Sequence, residues 1–520
     1  MDVSHITEVL KKIKRYCEKL FQKKYHAKYI YAWYYKHGKV RENQVLFESF
    51  HGRTISDSPF YMLKELMERG SFDIYYSTSD YKVHKDFIKK NNLDIKLVKI
   101  NSRRYQKAMA TCKYLINNSS FPSYFIKKDQ QIYLQTWHGT PLKTLGKNMK
   151  RGIESMYNVQ HNFLQADYLM FPNEFTKDAM MTDYNLTDLY TGKVILCGYP
   201  RNSIFLDKER GRQVRKKLGL EEKTVYAYMP TWRGKNNKDI ATTSYEEDVK
   251  KILDVLDKQL KDNQILYVNL HPIVRQNVSI STYQHIFPFP SNVDNYEFLN
   301  AVDSLITDYS SVFFDFSITR KPIILFMYDY EQYMADRGTY FEAKSLPFTK
   351  VYELEELAQL LVSEQVIHSE SASDDYYEKF VQYDTLDASE ILLDIVFGED
   401  RSDISIEDYS YNREKNRKIL YPNGIQSKEQ LDDLAKKAAE EESVVVLERK
   451  WFHDELNQWM YEEYNDKFTY IVIYRNIVNT YLELVARKMK NRKVINDLRI
   501  RGIKRCLPNL KVDPNYPKQM

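Results

Sequence analysis

Four short segments carry the side chains best suited to chemistry at a phosphate, and each directly follows an apolar run. Trp137-His138-Gly139-Thr140-Pro141-Leu142-Lys143 holds a histidine whose imidazole, titrating near pH ~6.5, can accept a proton from an alcohol at neutral pH. Gly139 beside it permits a sharp turn or a close backbone approach to a ligand, and Thr140 and Lys143 complete the loop. In Pro230-Thr231-Trp232-Arg233 the guanidinium is a fork whose geometry matches phosphate. His271, ahead of Pro272, can donate to a phosphate oxygen or a leaving group. Asp308-Tyr309-Ser310-Ser311 precedes a predicted helix over Val312–Ile318, where hydroxyls, free N–H groups and the helix dipole would form an anion site. Ordinary N-capping by Asp308 or Ser310 is the alternative there, and both readings can hold together. Singly, each segment also has a structural reading, a packed histidine or a surface arginine; four strand-end placements together point to a site.

The elements that must position them are short β-rich runs separated by helix-length stretches. Strands are predicted at Val45–Phe50, Phe72–Ser77, Ile95–Ile100, Tyr114–Asn117, Ile132–Thr136, Tyr168–Phe171, Val194–Gly198, Val225–Met229, Ile265–Leu270, Ser304–Thr307 and Pro322–Met327. This alternation indicates βαβ units and parallel sheets, and so many strands exceed a usual sheet of ~4–6. The expected fold is therefore α/β, with two doubly wound domains at 41–215 and 216–400, divided in the charge-rich stretch Asp207–Lys223. Ligands of such sheets bind beyond the carboxyl ends of the strands, where the four segments lie.

Both ends of the chain differ in character. Residues 1–40 open with a basic amphipathic helix in which Lys11, Lys12, Lys14, Arg15, Lys19, Lys23 and Lys24 face Glu18 alone, a pattern that suits an anionic membrane surface as well as packing on its own domain. Residues 401–520 are expected to be a mainly helical extension without strand–helix alternation, comprising a helix at Lys428–Glu442, an aromatic segment at Trp451–Tyr464 and a basic end at Arg487–Arg505. No apolar run approaches the ~20 residues of a membrane span, and the N-terminus lacks the features of a secretory signal, so a cytoplasmic protein is expected. The four cysteines, Cys17, Cys112, Cys197 and Cys506, have no metal or redox spacing. A net charge of +5 is too mild to predict nucleic-acid binding. Phosphate-loop, zinc-protease and serine-hydrolase motifs are missing, as is an Asp-x-Asp pair, so no metal and no cofactor are expected and cationic side chains would neutralise phosphate.

Gln135–Lys143, Tyr228–Arg233, Asn269–Pro272 and Ile306–Ser311 resemble, in order and spacing, the signatures of the CDP-glycerol glycerophosphotransferase family, which includes teichoic acid polymerases and primases. So do Phe47-Glu48-Ser49-Phe50 with Gly52 and Ser56-Asp57, Gly198-Tyr199-Pro200-Arg201-Asn202 and Arg337-Gly338. The resemblance covers about Gln44–Leu361. It implies a GT-B fold, an N-terminal acceptor domain and a C-terminal domain for a CDP-glycerol or CDP-ribitol donor. The acceptor would be a polyprenyl-linked disaccharide or polyol-phosphate chain at the cytoplasmic face of the membrane. By the same resemblance His138 is the general base, and His271, Thr231, Arg233, Asp308, Ser310 and Ser311 hold the diphosphate and the departing CMP. Arg201, Asn202 and Arg337 are further candidates, with Asp315 for the ribose. A GT-B glycosyltransferase using a nucleotide sugar and a non-catalytic polymer-binding protein are the alternatives, separated by whether CMP, UDP, GDP or nothing is released. Homo-oligomerisation is left open.

Overall fold

The structure, a computed structural model, describes residues 22–473 other than 151, 234–241, 337, 364, 369–371, 416 and 423. All of the predicted strands are present, with their ends shifted by a few residues. Strands β1 to β7 are Arg41–Glu48, Asp73–Thr78, Lys96–Lys99, Cys112–Asn117, Ile132–Gln135, Tyr168–Phe171 and Lys193–Leu196. β8 to β13 are Thr224–Met229, Gln264–Val268, Ile286–Pro288, Ser304–Thr307, Ile323–Phe326 and Thr349–Val351, and β14 to β17 are Ile406–Asp408, Ile419–Leu420, Val444–Glu448 and Tyr470–Ile473.

These strands build an eight-stranded sheet of order β14-β7-β6-β5-β4-β1-β2-β3, a six-stranded sheet of order β10-β9-β8-β11-β12-β13 and a three-stranded sheet of order β15-β16-β17. Pairing is parallel except at the β14 edge. Helices cover both faces of the large sheets, which is why β11 and β12 are buried at every position and read as unbroken apolar runs. Several connecting helices begin on residues that accept from their first turn, among them Asp80, Asn173 and Asp207. Strand order reverses between β1 and β4 in the first sheet and between β8 and β11 in the second. Such switch points are where the loops of an α/β sheet diverge and leave room for a ligand.

Two expectations about the C-terminal part are corrected. Helix Ala388–Phe397, placed by sequence with the second domain, packs on the first: Phe397 stacks on Phe72 at 4.8 Å and Asp394 accepts from Arg69 at 2.7 Å. The described part of the extension does contain helices, Lys428–Glu440 and Asp454–Trp459, but they alternate with β15, β16 and β17 to give a parallel α/β unit. Its strands are too short and uniformly buried to show a period. Val444–Leu447 and Tyr470–Val472 join Trp137, Phe163 and Tyr184 in one apolar core, so the extension is built into the first domain.

At the other end, helix Lys23–His37 buries Ala27, Tyr29, Tyr31 and Ala32, and Tyr31 donates to the Ile126 carbonyl at 2.7 Å. Residues 6–21 of the segment expected to form a basic amphipathic helix, and the basic end at 487–505, lie outside the described residues. Among those described, no helix is long and apolar enough to cross a membrane.

Candidate active site

His138 stands just past β5, on a turn made by two residues with positive φ, Trp137 at +52° and Gly139 at +155°. Its Nδ1 lies 2.6 Å from the Asn118 carbonyl at the end of β4. A carbonyl only accepts, so the neutral ring carries its hydrogen on Nδ1 and keeps Nε2 as a proton acceptor. Trp137 and Phe50 flank the ring at 4.1 and 5.5 Å between centroids. Burial lowers the pKa of His138; the Asn118 carbonyl and Asp57 act against that, while Arg201 and His51 add to it. The result is a histidine whose neutral form is favoured and whose Nε2 can accept a proton.

The loop around it is built for close contact. A Cβ on Gly139 would lie 3.0 Å from the Ser311 Oγ of the second domain, so the loop after β5 faces the switch-point loop after β11 here. Gly139 N–H donates to the Tyr199 hydroxyl at 3.0 Å. Thr140 is buried and accepts from Asn173 at 3.2 Å and from Thr176 at 3.3 Å, tying the loop to helix Glu174–Asp183. Lys143 pairs with Thr339 of the second domain in an antiparallel bridge, flanked by Thr144 N–H on the Gly338 carbonyl at 3.1 Å and Tyr340 N–H on the Leu142 carbonyl at 3.0 Å.

On the second domain the three predicted segments converge, because β9, β8 and β11 are neighbours. His271 stacks on Trp232 with centroids 4.4 Å apart and planes 6° from parallel, and burial lowers its pKa. Ser310 and Ser311 are half-buried at the mouth of the facing loops. Arg233 and Asp308 differ from expectation. The guanidinium is already held by carboxylates, Nη2 to Asp308 at 2.7 Å and Nε to Asp329 at 2.6 Å, and Nη1 donates to the Thr231 carbonyl at 2.6 Å. Asp308 also accepts from the backbone N–H of Thr231 at 2.9 Å and of Tyr309 at 2.6 Å. Its carboxylate therefore binds neither phosphate nor the first turn of helix Val312–Phe316; with Asp329 it locks Arg233 and the two loops in register.

The family-signature residues Arg201 and Asn202 and the ribose candidate Asp315 form a buried knot beside the His138 loop, with Arg201 Nη2 4.0 Å from where a Gly139 Cβ would lie. Arg201, 1% exposed, reaches Asp57 of the first domain with Nη1 at 3.0 Å and Asp315 of the second with Nη2 at 3.0 Å. Asp315 also accepts from Tyr296 at 2.7 Å and from Asn202 at 3.3 Å. Asp315 is thus enclosed by protein donors and not open to a ribose, and the two of them, with Asp57, join the domains. Arg337 lies outside the described residues. Sequence reasoning missed Asn118, which acts through a backbone carbonyl that any residue would provide, and Asp329, in the turn after β12, a segment that carries no motif. It missed His51 too, whose Nδ1 meets the Ser120 carbonyl at 3.0 Å beside His138 and which sits within the quoted Phe47–Gly52 signature. Among the described residues no three or more His, Cys, Asp or Glu are grouped to hold a metal.

Residues 30–398 match the family described as CDP-Glycerol:Poly(glycerophosphate) glycerophosphotransferase. The chain belongs to that family. It is 30% identical over 382 residues to a teichoic acid poly(glycerol phosphate) polymerase of Staphylococcus epidermidis, covering 69% of this chain and 51% of that protein. A polymerase of the same name from Bacillus spizizenii is 29% identical, covering 69% and 92%. The chain thus spans about half of one relative and nearly all of the other. The solved structure of the wall teichoic acid polymerase TagF superposes with a TM-score of 0.62 at 27% identity, covering 76% of this chain and 98% of that one. The two facing doubly wound domains are a GT-B arrangement. Residues 401–473 lie beyond the family match.

Proposed function

We propose that this glycerophosphotransferase moves glycerol phosphate, or another polyol phosphate, from a CDP-polyol to a hydroxyl on a lipid-linked acceptor and releases CMP. The observation that carries the reading is a histidine with Nε2 left as acceptor, on a loop packed against the switch-point loop of the opposite domain. In the step, the acceptor oxygen bonds to the β-phosphorus as the bond to the bridging oxygen breaks. The acceptor proton passes to His138 Nε2, and the bridging oxygen leaves with CMP. In-line placement and charge neutralisation do most of the work in such transfers. His271, with Ser310 and Ser311, is the group facing the diphosphate, and the Asp-locked Arg233 shapes that wall. Incubation with CDP-glycerol, CDP-ribitol, UDP-sugars or GDP-sugars and a lipid-linked acceptor tests it: CMP release with product growth is expected, and release of UDP or GDP alone overturns it. We propose that no metal takes part, so activity should survive EDTA; loss that Mg²⁺ restores would refute this.

The acceptor implies work at a membrane surface on the cytoplasmic side. The basic segment at Ile6–Lys24 supplies the cations for it, worth about 1 kcal/mol per basic residue near an anionic surface. Co-sedimentation with anionic liposomes that weakens as salt rises, and is lost on deleting residues 1–24, is the expected result.

A further inference from the structure

The third sheet has a carboxyl edge of its own, and it opens on the same side as His138. Helix Tyr157–Gln165 leads from the loop after β5 back to the start of β6, so its first residue lies at the carboxyl edge of the first sheet. Gln160 in this helix brackets β17, donating to the Tyr470 carbonyl at 3.0 Å and accepting from Val472 N–H at 2.9 Å. Arg449, immediately past β16, sits over the Tyr157 ring at 5.2 Å. The carboxyl ends of the third sheet are therefore level with those of the first. In the next turn position Asn158 donates to Ser120 Oγ at 2.9 Å, in the loop whose Asn118 carbonyl orients His138. The extension also grips the chain leaving the His138 loop, through Lys147 to Asp466 at 2.5 Å and Ile153 N–H to Asn457 at 3.1 Å.

The side chains at this edge are preorganised. Glu448, 1% exposed, accepts from the Tyr421 hydroxyl and pairs with Lys450 at 3.3 Å. Tyr421 packs on Trp451 with centroids 5.3 Å apart. Arg449 is exposed and lies over the Tyr157 ring. A cationic fork and an ammonium beside two half-buried aromatic rings suit a ligand with a phosphate and a carbon face.

We propose that the carboxyl edge of the third sheet is a distal acceptor subsite for a phosphorylated carbohydrate, with Arg449 and Lys450 on its phosphate and Trp451 and Tyr421 against its sugar or polyol. The acceptor assignment rests on the polyol-phosphate reading above. To test it, full-length protein saturated with CMP, which occupies the donor side, is titrated calorimetrically with a glycerol phosphate oligomer and, separately, with glucose 1-phosphate. Binding of at least one probe is expected, and the stronger one tells a polymer repeat from a glycosyl phosphate. Arg449→Ala should weaken it about tenfold or more, as loss of a charged hydrogen bond does, with partial recovery in Arg449→Lys and a matching loss in Trp451→Ala but not Trp451→Phe. No binding to wild type, or equal affinity in Arg449→Ala and Trp451→Ala, overturns the subsite. CMP release from CDP-glycerol by the same preparations separates the two readings. Normal release with unchanged probe affinity removes only the subsite, whereas no release from any CDP-polyol removes the transfer reaction.

Discussion

At the scale of single residues, identity and role part company. His138 and Arg233 stand in equivalent strand-end positions, yet one presents an open ring nitrogen and the other is enclosed by carboxylates. His138→Ala should lower transfer by about 10²–10⁴, the usual worth of a general base, with the CDP-glycerol dissociation constant changed only a few-fold, as measured by single turnover and titration. The base must be neutral, and its pKa is lowered from the ordinary 6.5. Protonation therefore sets in at lower pH than for an ordinary histidine, and the acid limb of the kcat/KM profile should have its midpoint under pH 6.5. Removing Arg233 leaves Asp308 and Asp329 facing each other, 3% and 16% exposed. Arg233→Ala should destabilise the fold by about 3–5 kcal/mol, the typical effect of breaking a buried pair from one side, and denaturant titration would show it. Native stability with only weakened donor binding would instead mean that Arg233 serves the phosphate directly.

At the scale of elements, the site depends on how closely two strand-end loops approach. Gly139 combines a φ of +155° with the 3.0 Å approach of Ser311 Oγ to its missing Cβ, and both conditions disfavour any side chain. Gly139→Ala should reduce kcat by about tenfold or more, since a small misplacement of a reacting group suffices for that. Adding Ser311→Ala should return part of the loss by removing the steric term alone. Steady-state kinetics of the single and double variants measure this, and equal kcat values would show that backbone strain dominates. Eleven of the fourteen strands of the two large sheets were readable because their apolar runs are bounded by polar turns; β10, β13 and β14, three residues each, were not. The third sheet was not, because the two residues of β15 and the wholly buried β16 carry no alternation to read.

At the scale of the whole molecule, the domains are joined by an ion triad that burial makes sensitive to the loss of any one member. Arg201→Met should lower the melting temperature and separate the unfolding of the two domains in calorimetry, because Asp57 and Asp315 lose their shared cation. Combining it with Asp57→Asn and Asp315→Asn should restore stability, as neutral replacement of buried ion networks often does. The amino-acid sequence by itself determined the α/β class, the two parallel sheets, the strand ends at which polar residues collect and the family signature. These follow from local patterns: apolar runs of strand length, helix-length spacers, and polar residues where backbone leaves a sheet. Only the tertiary structure decided which of those polar residues face the cleft. Arg233 read as a phosphate ligand and Arg201 as a further site candidate because a guanidinium fits phosphate and carboxylate equally well, and their carboxylate partners lie 75 and 96 residues away for Arg233 and 144 and 114 for Arg201. His138 reads as a base in either account, but its tautomer is set by a carbonyl 20 residues upstream, a contact no side-chain pattern records.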